Sequence, residues 1–376
     1  MSIKPRATLP RKVLFLSQDG KLGDAIVNTA FVAALHRAAP DCVIHATVAG
    51  VTAPFWQADA RIARCWPLQR PGWIETVRAG RALRREQYDA IVTWQPLRKE
   101  KNKLLLWLAG AGQVIDLRDF NRGPLHHKID ACGAVLAQLG VPVPVQLGYD
   151  IGMPAHSADI DALLPAGREV IVVNLFAADA ERTIAPDDAQ QMLRALHAVA
   201  PQAALALVCT AATLAVAQQV AQSVAGAQLE SAAQDGAAQE GVAPDGAAQD
   251  GAMRTVAAQG SVADRGAVSD HAGAKVTVQV LNCEGDLPKL LRLCQRADLV
   301  ISPDTALIHI ASAYDTAVIG IYQNNGIKAV QWGPRSRLGA CVLSNNPFSI
   351  AGFSVAEVAQ QARSLRTRYL EQPQSA

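Results

Sequence analysis

The chain has 376 residues and a mass of 39.8 kDa, too much for one compact core and suited to two domains of ordinary size. Half of its residues are apolar and 18% are charged, so the bulk of the chain is globular and not disordered. The net charge of +2 conceals two unequal parts: residues 1–150 carry 20 Lys and Arg against 12 Asp and Glu, and residues 151–376 carry 15 against 21. Such a split points to an anionic partner for the first part alone.

Met1–Ser17 contains only the short apolar stretch Val13–Leu16, too little for a signal peptide. Leu104–Ile115, the longest apolar run near charge, falls short of the roughly 20 residues of a spanning helix. The seven cysteines are scattered and include no CxxC; they read as reduced thiols of a cytoplasmic protein.

Arg11–Ser17 has the apolar run of a buried strand and leads through Gln18-Asp-Gly-Lys-Leu-Gly23 into a helical pattern over Asp24–Ala38. That pattern places Ile26, Val27, Ala30, Phe31, Ala34 and Leu35 on one face. Cys42–Val48 is the next strand, and strand–loop–helix–strand is the unit of a parallel sheet. The alternation continues with helix 73–86, strand Asp89–Trp94, helix 101–109, strand Gln113–Leu117 and helix 127–139, and Gly140–Pro144 ends it. It restarts with strand Glu169–Asn174, helix Pro186–Ala200 and strand Ala204–Cys209.

From about 225 to 272 the pattern collapses into an imperfect pentad repeat: Ala232–Gly236, Ala237–Gly241, Val242–Gly246 and Ala247–Gly251. A glycine every fifth residue costs roughly 1 kcal/mol each in a helix, and the segment has no bulky side chain to stack. It reads as a flexible, disordered acidic insertion. Strands Lys275–Leu281, Asp298–Ser302 and Ala317–Tyr322, helix Thr305–Tyr314 and a last helix 354–370 complete the chain, the last opening with Ser354 and Glu357 in capping-box spacing. The expected fold is α/β, with two doubly wound, Rossmann-like domains facing a cleft. The domains span 1–160 and 161–350, with a helix and tail at 351–376. Ligands of such sheets bind at the carboxyl ends of the strands, beside helix N-termini.

Two segments carry chemistry. The first loop, Asp19-Gly-Lys-Leu-Gly-Asp24, lacks both GxGxxG and GxxxxGK[ST], so it is no dinucleotide or P-loop signature. Asp24 is either a helix-terminal carboxylate or a general base at the mouth of the cleft. In Ala297–Ala313 a strand runs into Ser302-Pro-Asp-Thr305 and then a helix, whose first-turn N–H groups and Thr305 hydroxyl would cradle a diphosphate. His309 shares a face with Thr305; its other reading is a satisfied core histidine. Asp159-Ile-Asp161 is a literal DxD, but it lies in a helix-like linker, where a solvated face is the simpler reading. Arg78, Arg81 and Arg85 form a basic helical stripe followed by Arg98–Lys103. That stripe is either a solvated face or a dock for an anionic phosphorylated glycolipid. Aromatics are too few to suggest nucleic acid.

Together these segments resemble glycosyltransferase family 9, the bacterial heptosyltransferases of lipopolysaccharide core assembly. The resemblance is carried by Leu22-Gly-Asp24 with Asn28-Thr-Ala30, by Asp304-Thr-x-x-x-His309 with Ile310-Ala311, and by Ala317–Tyr322 through Trp332-Gly-Pro334. It implies a GT-B fold and inverting, metal-independent transfer of a sugar, heptose, from an ADP-activated donor to a glycolipid acceptor. The acceptor would bind the first domain and the donor the second, with no cofactor, and the enzyme would touch the inner membrane peripherally. By the same resemblance Asp24 matches the catalytic base. Arg182, Asp304, Thr305, Ala306 and His309 fall on the donor side, and Lys21, Gly23 and Asn28, with the Arg78, Arg81 and Arg85 stripe, on the acceptor side. Two positions depart from the family: Ala306 replaces a glycine, and Arg182-Thr-Ile-Ala-Pro186 replaces Lys-x-Trp-Pro. A nucleotide-sugar epimerase and a non-catalytic sugar-nucleotide binder share the architecture and remain alternatives.

Overall fold

The computed structural model describes residues 9–16, 20–93, 99–121, 126–164, 166–237 and 276–371. The first domain runs β1 (Lys12–Leu16), α1 (Leu22–Ala38), β2 (Val43–Val48), α2 (Thr52–Gln57), β3 (Ile62–Pro67), α3 (Trp73–Arg84), β4 (Ala90–Thr93), α4 (Glu100–Ala109), β5 (Gln113–Asp116) and α5 (Lys128–Gln138). The second runs α6 (Ala158–Leu163), β6 (Val170–Asn174), α7 (Pro186–Val199), β7 (Ala204–Cys209), α8 (Leu214–Ala237), β8 (Val278–Asn282) and α9 (Leu287–Arg296). It continues with β9 (Leu299–Pro303), α10 (Ala306–Ala313), β10 (Ala317–Tyr322), α11 (Lys328–Trp332), β11 (Gly339–Leu343) and α12 (Val355–Glu371).

Both sheets are parallel, ordered β3-β2-β1-β4-β5 and β11-β10-β9-β6-β7-β8. The two doubly wound domains expected from the sequence are therefore present. β6, β7, β9 and β10 are buried along their whole length, as central parallel strands covered on both faces must be. Strand order reverses between β1 and β4 in one sheet and between β6 and β9 in the other, and such switch points are where doubly wound sheets hold ligands. α12 packs on α7, and Arg366 forks onto Glu169 at 2.5 and 2.7 Å. Among the described residues no helix is long and apolar enough to cross a membrane.

Three expectations are corrected. The sequence pattern marks none of α2, β3, α8, α9, α11 and β11. The collapse of regular structure does not begin at 225, because α8 continues to Ala237. Alanine and glutamine are strong helix formers, and a helix already nucleated by Leu214–Val224 extends through them despite Gly226 and Gly236. The rest of the proposed insertion, 238–272, lies outside the described residues. Finally, α1 does not present a single apolar face: every residue from Ala25 to Leu35 is buried, because α5 covers one side and α10 of the second domain another.

The domains are joined beside that contact by a buried polar junction. The Tyr149 hydroxyl lies 3.4 Å from His309 Nδ1 and 3.5 Å from His127 Nε2. His127, the N-cap of α5, accepts the Ile129 N–H at Nδ1 (3.1 Å), while its Nε2 stands 3.1 Å from the Gly333 carbonyl of the second domain. These partners suit a neutral ring that donates from Nε2. A proton on Nδ1 would face the Ile129 N–H. Burial pushes His127 down to about 4, helped by Arg335, and pushes His309 down to about 3, helped by His127.

Both histidines are thus neutral when folded and take up protons first in the unfolded chain. Their contribution to stability is complete above about pH 6.5 and is lost as the pH falls toward their folded values, at about 1.4 kcal/mol per histidine per pH unit. The melting temperature is expected to drop steeply between about pH 6.5 and pH 4. His127→Asn, which keeps the cap, should flatten that slope. An unchanged slope in thermal melts across the range would remove His127 from the pH response.

Candidate active site at the domain interface

β1 delivers α1 to the cleft through a turn that demands glycine. Gly20 has φ 67°, and a Cβ there would lie 3.1 Å from the Ala49 carbonyl oxygen. The helix begins at Leu22 with Lys21 as an N-cap that makes no side-chain cap, so Asp24 is a first-turn carboxylate rather than the cap. The positive end of the helix favours its charge. Asn28 donates from Nδ2 to the Asp24 carbonyl at 2.6 Å and is 1% exposed. It fixes the backbone under Asp24 and does not line the cleft.

β9 delivers α10 in the same way from the second domain. Thr305 caps α10, its Oγ1 accepting the Leu307 N–H at 3.3 Å. The same hydroxyl lies 2.8 Å from Ser302 Oγ and accepts from Asn174 Nδ2 at 3.3 Å. It is therefore engaged in holding the turn, where the sequence reading aimed it at a ligand. Asp304 is held by Arg182, which reaches its carbonyl at 2.7 Å and its carboxylate at 3.2 Å while the other end of the guanidinium meets Asp179 at 2.5 Å. Burial raises the Asp304 carboxyl, and the charges of Lys328 and Arg182 oppose that rise.

The two helix starts meet. A Cβ on Gly23 would lie 3.4 Å from His309 Cδ2 and 3.8 Å from Ala306 Cα, so backbone of one domain rests on the imidazole of the other. Around this point opens a cavity of about 620 Å³. Lys21, Gly23, Asp24, Arg182, Asp304, Thr305, Ala306 and His309, all expected from the sequence, line it together. Asp179, Lys328, Trp332 and Phe348 also line it. Lys328 Nζ is 3.9 Å from Asp304 Oδ2, and the Trp332 ring packs against His309 at 5.8 Å. Arg78, Arg81 and Arg85 are not on its walls; Arg78 and Arg81 sit exposed on α3 and Arg85 exposed at its C-cap.

Lys128, the first residue of α5, had no signal in the sequence. Burial lowers its ammonium and the nearby Asp24 carboxylate acts against that shift, with Lys328 also felt; the ammonium stands 5.8 Å from the Trp332 ring centroid. A second cavity, about 370 Å³ and more apolar, adjoins the first across Thr305 and Ala306. Asn174, Phe176, Val208, Cys209, Cys283 and Leu307 are on its walls. Asp161 of the DxD pairs instead with Arg292 at 2.8 Å on the surface. Among the described residues no group of three His, Cys, Asp or Glu is placed to hold a metal ion.

Residues 262–351 match the model of glycosyltransferase family 9 (heptosyltransferase). No curated protein matches the chain in sequence. Among solved structures, the family 9 glycosyl transferase of Veillonella parvula superposes with a TM-score of 0.64 at 15% identity, covering 95% of this chain and 97% of its own. The ADP-heptose lps heptosyltransferase II of E. coli gives 0.63 at 13%, covering 96% and 99%. The E. coli heptosyltransferase WaaC with ADP gives 0.63 at 15%, covering 94% and 99%. The chain thus resembles glycosyltransferase family 9 in sequence across residues 262–351 and shares the heptosyltransferase fold along nearly its whole length.

Proposed function

We propose that the protein is an inverting glycosyltransferase that moves a sugar, heptose, from an ADP-activated donor to a glycolipid of the lipopolysaccharide core, without a metal. The observation that carries this reading is the shared cavity. A carboxylate on one domain and a cationic helix N-terminus on the other face the same space. Two domains, each contributing at its switch point, suit a reaction in which two substrates must meet.

In this reading Asp24 accepts the proton of the acceptor hydroxyl while that oxygen attacks the anomeric carbon and the bond to the diphosphate breaks. Lys128 places positive charge near Asp24. The departing diphosphate gains negative charge, and the N-terminus of α10, Arg182 and Lys328 stabilise it. Arg182 replaces a point charge by a planar fork that Asp179 and Asp304 hold in place. The apolar cavity next to Thr305 gives the nucleobase a place out of water.

Asp24→Asn retains shape and loses proton affinity. kcat is expected to fall by about 10²–10⁴, with donor affinity and melting temperature close to wild type. Product analysis with ADP-heptose reads the outcome: free ADP and glycosylated acceptor support transfer, an epimerised donor supports the epimerase. A variant that keeps more than about a tenth of wild-type kcat returns Asp24 to a structural role.

Arg182→Ala is expected to lower donor affinity by about tenfold or more and also the melting temperature, because it strands the largely buried Asp304. Adding Asp304→Asn should restore the melting temperature without restoring donor affinity. Calorimetry with ADP-, UDP-, GDP- and CMP-sugars tests this together with the donor base. Normal donor binding by Arg182→Ala would exclude a role at the phosphates, and tighter binding of another nucleotide would displace the ADP assignment.

A further inference from the structure

Three large apolar side chains stand out in solvent on α3 and α4: Trp73, Ile74 and Trp107, exposed by 57%, 69% and 74%. Trp73 and Trp107 come from different helices yet line one open hollow with Lys103 and Leu104. The opposite sides of the same helices are well packed. Leu83, Leu105 and Ala109 are buried against the sheet with Leu14, Leu16 and Ile91. Gly80 lets α3 close onto α4, since a Cβ there would fall 2.5 Å from Leu108 Cβ. The exposed tryptophans are therefore not displaced core residues; the core of this layer is complete without them.

Cations flank the apolar group. Ile74 opens a stripe of exposed positions that continues through Arg78, Arg81 and Arg85 down α3, and Lys99, Lys101 and Lys103 are exposed at the start of α4. The carboxylates among them are engaged locally: Glu75 accepts the Gly72 N–H at 2.9 Å, and Glu100 pairs with Lys103 at 2.8 Å. Apolar tryptophan bodies within a field of Arg and Lys have the composition of a surface that enters the headgroup layer of an anionic bilayer. The placement also suits such a role. α3 and α4 start at the carboxyl ends of β3 and β4, the same edge of the sheet from which α1 presents Asp24.

We infer that the outer face of α3 and α4 seats the protein on an anionic lipid surface, with Trp73, Ile74 and Trp107 inserted and the arginine and lysine side chains on the headgroups. The meaning of this for catalysis rests on the transfer reading: a lipid-anchored acceptor would rise from the bilayer at the rim of the cavity that holds Asp24. A conventional solvated helix face would need neither the paired tryptophans nor their position at this edge.

The full chain is tested by cosedimentation with vesicles of phosphatidylcholine, with and without phosphatidylglycerol. Binding is expected to the anionic vesicles, to weaken with salt, and to fall about tenfold or more in Trp73→Ser/Trp107→Ser. That double variant should keep the wild-type melting temperature and its turnover of a water-soluble acceptor sugar. On the unaltered protein, lipids brominated in the acyl chain should quench tryptophan fluorescence, a readout independent of any substitution. Equal sedimentation of wild type with both vesicle types, undiminished binding of the double variant, or absence of quenching would overturn the inference. So would a tryptophan-dependent dimer in sedimentation velocity, which would assign the face to a second copy. Turnover of the soluble acceptor without vesicle binding defeats the docking surface alone; vesicle binding without sugar transfer defeats the transfer reading alone.

Discussion

The close approach of α1 to α10 is the constraint on which the site depends. A helix on the face of a doubly wound sheet ordinarily shows solvent one stripe, yet α1 is buried all round from Ala25 to Leu35. The second domain supplies the missing cover. His309 rests on the start of α1 at Gly23, and the first turns of two helices from separate domains end up a few ångströms apart. Each helix start is a region of partial positive charge. Their convergence makes the space between them favourable for anions before any side chain is counted, and it is at the switch point of both sheets that this occurs.

The side chains then refine that field. Lys21, Arg182 and Lys328 line the cavity together with Asp24, Asp179, Glu181 and Asp304. Arg182 is shared between two carboxylates, one of which, Asp304, is largely buried and raised by that burial. Such pairing fixes the guanidinium in one place rather than leaving it on a mobile stem, at the cost of partly neutralising it. The neutral pair His127 and His309 does the complementary task at the domain junction. Uncharged, they let Tyr149 and the Gly333 carbonyl bridge the domains in a buried junction, whereas charged imidazoles there would repel each other and seek water.

Much of this was legible in the sequence, and the parts that were not share a physical reason. The central strands are continuous apolar runs, so β1, β6, β9 and β10 announced themselves, and with them the two loops that carry Asp24 and Thr305. The edge strands did not. β3 has no fully buried residue and β11 buries only Val342, so neither has the uninterrupted apolar run of a strand covered on both faces. The burial of Asn28 and the engagement of the Thr305 hydroxyl were invisible because both depend on partners far along the chain, Cys132 and Asn174. Lys128, Tyr149 and His127 belong to the same class: nothing within a few residues of them marks the interface they build. Local pattern located the two helix starts; only the packing of one domain on the other shows which side chains stand between them.

Ala306 is a local departure set where the two cavities meet. In place of a glycine it puts a methyl group at the first position of α10, where it lines both the polar cavity and the apolar one beside it. Gly23 of α1 is its neighbour across the interface: a Cβ on that glycine would stand 3.8 Å from Ala306 Cα, an ordinary contact distance. The Ala306 methyl adds one carbon to the lining that the two cavities share, while Thr305 caps the helix N-terminus. The substitution therefore acts on the shape of whatever spans both cavities and leaves intact the helix dipole that attracts an anion. Charge recognition and shape recognition are carried by different atoms of the same turn, which is why one can vary without the other.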